Sequence, residues 1–116
     1  YDFFFIHFKS TDSRGEDGDF EAKVHAIEEV DSALPKLLNL NPDVLIVTGD
    51  HSTPASLAAH SWHPVLFMLR AKWCFPDSVT QFSERACLGG GMGRFPAVEI
   101  MPLAMANALK LDKFGA

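Results

Sequence analysis

Four consecutive aliphatic residues, Val44-Leu45-Ile46-Val47, run without a break into Thr48-Gly49-Asp50-His51. An apolar, β-branched run of this length reads as a strand. It delivers an aspartate and a histidine to its carboxyl end. A second such run, Asp2-Phe3-Phe4-Phe5-Ile6-His7-Phe8, also reads as a strand and leads into Lys9-Ser10-Thr11-Asp12. Between the two, Phe20, Val24, Ile27 and Leu34 recur at helical spacing. Asp19 is placed to cap that helix, and Pro35 to end or kink it, with Leu37 and Leu38 adding one further turn. Strand, helix, strand in this order predicts an α/β fold built on a βαβ unit, with a right-handed crossover and parallel strands.

The rest of the chain adds fewer constraints. Lys9–Asp19 is polar, holds Gly15 and Gly18, and reads as a loop; residues 52–63 read as another. A third strand is expected at Pro64-Val65-Leu66-Phe67-Met68-Leu69, antiparallel to the others if His60 returns to the same sheet edge. Asp77–Cys87 is expected to be a short helix, and Val98–Leu109 a final, well-buried one. Gly89-Gly90-Gly91-Met92-Gly93-Arg94 lacks the Gly-Lys-Ser/Thr ending of a phosphate loop and follows no strand, so it is expected to be a turn.

Composition excludes several classes. With 116 residues the chain is one domain or part of one, and 47% hydrophobic residues make it globular. No apolar run reaches the ~20 residues of a membrane helix. A net charge of −5 argues against a nucleic-acid surface. Phosphate ligands stay open, because bound cations can supply positive charge. Cys74 and Cys87 lack zinc-type spacing and are expected to be buried thiols of a reducing cytoplasm. The chain has no initiator Met and opens on an apolar strand, which leads us to expect a piece of something longer.

Ligands of open α/β sheets bind beyond the carboxyl ends of the strands. The crossover brings Asp12, Asp50 and His51 to one edge, and His60 follows in the next loop. Glu16 lies four residues after Asp12, so one helical turn there would point both carboxylates the same way. Asp12, Glu16, Asp50, His51 and His60 are therefore the candidate metal ligands. Mixed carboxylate and imidazole donors suit manganese, zinc or magnesium. His7, His25 and His63 are read as structural. Each candidate taken singly is as compatible with a solvated carboxylate or a hydrogen-bonded loop histidine.

Three stretches carry a resemblance. Lys9-Ser10-Thr11-Asp12-Ser13-Arg14-Gly15-Glu16-Asp17-Gly18-Asp19 resembles the metal loop of the archaeal-type cofactor-independent phosphoglycerate mutases. Val47-Thr48-Gly49-Asp50-His51-Ser52-Thr53-Pro54 is similar to their second metal motif, and Ala59-His60-Ser61-Trp62-His63-Pro64-Val65 to the third. Ile100-Met101-Pro102-Leu103 and residues 110–116 resemble the family's ending.

The resemblance implies a partial alkaline-phosphatase-like sheet and the carboxy-terminal portion of a metalloenzyme domain. The amino-terminal half, the substrate-binding insert and the nucleophilic serine would lie upstream; Ser10, Ser13 and Ser52 do not replace that serine. It implies interconversion of 3- and 2-phosphoglycerate in glycolysis through a phosphoserine, with two divalent metals, usually manganese. Asp12 and His60 would serve one metal, Asp50 and His51 the other. Glu16 stands where the family pattern has histidine, which puts the first metal in doubt more than the second. A different alkaline-phosphatase-superfamily phosphoryl-transfer enzyme and a non-catalytic α/β module packed on a partner remain open. The chain alone is expected to be inactive as a mutase and to self-associate.

Overall fold

The computed structural model describes residues 1–112, so the end of the tail resemblance, at 113–116, lies outside the described residues. The chain divides into two compact units, Tyr1–Asn41 with His51–His63, and Pro42–Asp50 with Pro64–Ala116.

The first unit is a pair of helices and a loop. Helix α1, Ser10–Glu16, occupies what the sequence led us to expect as loop. Its residues are weak helix formers and include Gly15, so packing and not propensity holds it. It stops at Gly18, whose φ of +70° only glycine adopts freely. Asp19 N–H bonds the Arg14 carbonyl and Gly18 N–H the Gly15 carbonyl, the paired bonds of a Schellman ending. Asp19 then caps α2, Phe20–Leu38, accepting a bond from Ala22 N–H at 2.9 Å, as expected. Pro35 does not end the helix; α2 continues through it to Leu38. The packed face also differs from the expected seam. Phe20 and Ile27 are exposed and Ala26 is buried, so small residues let α2 lie against α1.

Residues 2–8 form no ladder. The strand expected there, and with it the parallel βαβ unit, is not present among the described residues. A strand exists by pairing, and the described ladder pairs only residues 44–48 with 67–71; Phe3, Phe4, Phe5 and Ile6 are exposed.

In the second unit β1, Val44–Thr48, pairs with β2, Phe67–Ala71, in antiparallel register, Ile46 opposite Leu69 and Thr48 opposite Phe67. The third expected strand is thus antiparallel as anticipated, shifted toward Ala71. Thr48 Oγ1 donates to the Leu66 carbonyl at 2.7 Å, and the Phe67 and Phe95 rings meet edge to face at 5.0 Å. The helix expected over 77–87 shrinks to α3, Glu84–Cys87. Asp77 explains why: its carboxylate accepts Val79 N–H at 2.9 Å and Gly91 N–H at 2.8 Å. That local turn competes with a helix start and ties down the glycine-rich turn. A 3-10 turn at Ala97–Glu99 precedes α4, Ile100–Asn107. The expected burial of this helix is not observed: none of its residues is buried, and Val98, Met101 and Met105 are exposed. Cys74 and Cys87 are free and half-buried, not buried. No helix among the described residues is long and apolar enough to cross a membrane.

Candidate metal centre

The site is assembled within the first unit. The loop after His51 closes on itself. Pro54 starts a turn, with Leu57 and Ala58 N–H groups bonding its carbonyl, and Ser61 N–H returns to the Ser52 carbonyl at 2.8 Å. That isolated antiparallel bridge draws the two ends of the loop together and makes His51 and His60 diagonal neighbours across it. The His51 and His60 rings consequently lie 3.9 Å apart, centroid to centroid.

Helix α1 brings the carboxylates. Asp12 is buried, and its Oδ1 lies 3.4 Å from His60 Nε2 and 3.7 Å from His51 Nδ1. Glu16, one turn later on the same face, places Oε1 3.4 Å from His60 Nε2. Asp12, His51 and His60 each offer a ligand atom, and these lie within 4.8 Å of one another. Asp50 ends the second unit's first segment, directly before His51 in the chain.

Four residues that the motif reading left without a role hold this cluster. Lys9 Nζ pairs with Asp12 Oδ2. Thr53, only 4% exposed, donates from Oγ1 to Asp12 Oδ1 at 2.6 Å, and the same oxygen lies 3.0 Å from His51 Nδ1. Lys23, on the first turn of α2, donates to the Thr53 carbonyl. Gly15 lets α1 approach that carbonyl: a Cβ there would stand 2.3 Å from it and 3.0 Å from Thr53 Cγ2. A lysine and a threonine inside a metal-type motif, and a glycine between two acidic residues, were the available signals.

The electrostatics follow from these contacts. The Lys9 hydrogen bond first, and the Thr53 hydroxyl second, lower the Asp12 carboxyl from 3.8 to about 2, against a smaller opposing effect of desolvation. Asp12 is therefore an anion throughout the physiological range. An ionised carboxylate beside two imidazoles is a donor set that fits a hard or borderline divalent cation. His7, His25 and His63 stay outside this cluster. His25 faces Glu29 along α2, and His63 stacks on Trp62 and meets Ser61 Oγ at 2.8 Å.

Comparison with known proteins agrees with this chemistry. Residues 1–107 match the family model described as the Metalloenzyme superfamily. The whole chain is 53% identical to a probable 2,3-bisphosphoglycerate-independent phosphoglycerate mutase of Aquifex aeolicus and covers 28% of it. For the proteins of the same name from Thermosipho africanus and Thermus thermophilus the identities are 56% and 53%, with 29% of each covered. The chain thus spans under a third of the length of these curated relatives. A solved structure of a Pyrococcus horikoshii protein matches 97% of the chain and 35% of its own length, with a TM-score of 0.90 at 36% identity. The match across nearly all of the sequence, together with a carboxylate and two imidazoles converging on one point, makes the chain a member of the Metalloenzyme superfamily.

Proposed function

We propose that the chain is the carboxy-terminal, cation-holding portion of a cofactor-independent phosphoglycerate mutase, which interconverts 3- and 2-phosphoglycerate through a phosphoserine in cytoplasmic glycolysis. The observation that carries this reading is the convergence of Asp12, His51 and His60. Identity of 53% to a probable mutase over the full chain supports it.

In this reading Asp12 and His60 hold one divalent cation, with Glu16 as the third donor, and Asp50 and His51 hold a second. Manganese is the expected ion; zinc and magnesium suit the same donors. When bound, such a pair neutralises a phosphoryl group and stabilises both the attacking and the leaving oxygen. The chain's own residues supply the cradle. Lys9 and Thr53 keep Asp12 ionised and aimed, and Lys23 keeps Thr53 in place. The nucleophilic serine is assigned to the part of the protein that the longer relatives carry beyond this match, so the chain alone binds cation without turnover.

Calorimetric titration with manganese tests this. The chain is expected to bind saturably, and Asp12→Ala or His60→Ala to abolish saturation. Absence of binding at millimolar manganese by the unsubstituted chain would falsify the reading.

The same proposal accounts for the exposed apolar side chains. Phe3, Phe4, Phe5, Val98 and Leu109 face solvent, where the remainder of the domain is expected to cover them. Light scattering should show the mass of the 116-residue chain rising with concentration. A constant monomer mass would remove this part of the proposal.

A further inference from the structure

Thr53 carries a hydroxyl with a single proton and two neighbours that want it. Oγ1 lies 2.6 Å from Asp12 Oδ1 and 3.0 Å from His51 Nδ1. An ionised carboxylate can only accept. Were the proton turned toward His51, Oγ1 and Oδ1 would face each other at 2.6 Å as two acceptors, one of them charged. The proton therefore goes to Asp12. His51 Nδ1 must then be the donor to Oγ1, and the neutral ring keeps its lone pair on Nε2.

We propose that Thr53 is a positioning residue that fixes the His51 tautomer through Oγ1 and aims Asp12 Oδ1, so that each keeps a lone pair for the cation assigned to it. Its part in cation binding rests on the metal-site reading above; its part in the tautomer does not. Thr53 is closely packed: its backbone carbonyl is held by Lys23, and its carbonyl oxygen and methyl group occupy the space that a Cβ on Gly15 would need, 2.3 and 3.0 Å from that position. Lys9 occupies Oδ2, so Asp12 turns one oxygen toward the histidines. Hydrogen-bond partners of this kind orient ligand rings and typically govern about 10–100-fold in metal affinity.

The test uses the nitrogen-15 spectrum of the histidine rings, recorded without metal at alkaline pH, with His51→Gln to assign the signal. The unsubstituted chain should show His51 protonated on Nδ1. Thr53→Val, which keeps the shape and removes the hydroxyl, should move it to Nε2-protonated or to a mixture, and Thr53→Ser should restore Nδ1. A His51 already protonated on Nε2 in the unsubstituted chain overturns the proposal, even if Thr53→Val fails to fold. So does a Thr53→Val spectrum that keeps Nδ1 protonated. Manganese titration forms the second arm. Thr53→Val should bind about 10–100-fold more weakly and Thr53→Ser close to normally. Absence of manganese binding by the unsubstituted chain sinks the metal-site reading, while the tautomer result still decides the role of Thr53.

Discussion

The two units of the chain spend their tightest packing differently. In the first, the buried residues are Asp12, Gly15, Ala26 and Thr53: two polar, two with minimal side chains. In the second, no described residue is buried, although it carries the sheet and the more apolar helix. Deep burial here goes with a satisfied polar network and not with a hydrophobic core. No buried side-chain polar atom among the described residues lacks a partner. A buried polar group is costly when unmade and well defined when made. Order in the first unit is therefore specific, while the second unit leaves its apolar surface to be covered.

The contrast is sharpest at Gly15. Gly15→Ala drives a methyl into the Thr53 carbonyl and is expected to destabilise the first unit by about 3 kcal/mol, with loss of manganese binding. Urea denaturation and calorimetry check both. A neutral Gly15→Ala would mean that the two segments are not in close contact. Phe67→Ala probes the other unit. Loss of its edge-to-face contact with Phe95 should cost about 2 kcal/mol in urea denaturation. An unchanged midpoint would mean that the two rings contribute nothing to the second unit. The smallest effect is expected from acid. Gly91 N–H chiefly, and Val79 N–H next, lower the Asp77 carboxyl below its ordinary 3.8. The Asp12 carboxyl is lowered as well, to about 2. A carboxyl depressed in the folded state contributes stability above its unfolded pKa and loses it as pH falls through the folded value. Thermal melts should therefore weaken below about pH 4, and Asp77→Ala should reduce that slope in the second unit only. A slope unchanged by the substitution would remove Asp77 as its source.

Much of this was readable from residue order. Asp19 as a cap, Val44–Val47 as a strand and the antiparallel return after His60 all follow from local chemistry, and the structure has them. The nearness of Asp12, Glu16, His51 and His60 was also anticipated, though its route was not. Parallel strands were expected to bring them together; instead α1 and the Ser52–Ser61 bridge do so within one unit. Helix α1 was hidden because Ser10, Thr11, Ser13 and Gly15 disfavour a helix in isolation, and packing against α2 and Thr53 overrides that. The exposure of α4 was hidden for the opposite reason. An all-apolar helix predicts burial, but sequence does not say against what. Thr53 escaped because a threonine beside a proline in a loop looks like turn chemistry until its neighbours are seen.

Lys23 links the Thr53 carbonyl to the opening turn of α2, the turn that Asp19 secures through Ala22. Helix ends are where backbones breathe most readily. When that turn frays, Thr53 loses its tether, and Asp12 and His51 lose their common alignment. Amide exchange at Ala22 and Lys23 is thus a clock for how long the cradle keeps its shape, set by one helical turn outside the cluster of Asp12, His51 and His60.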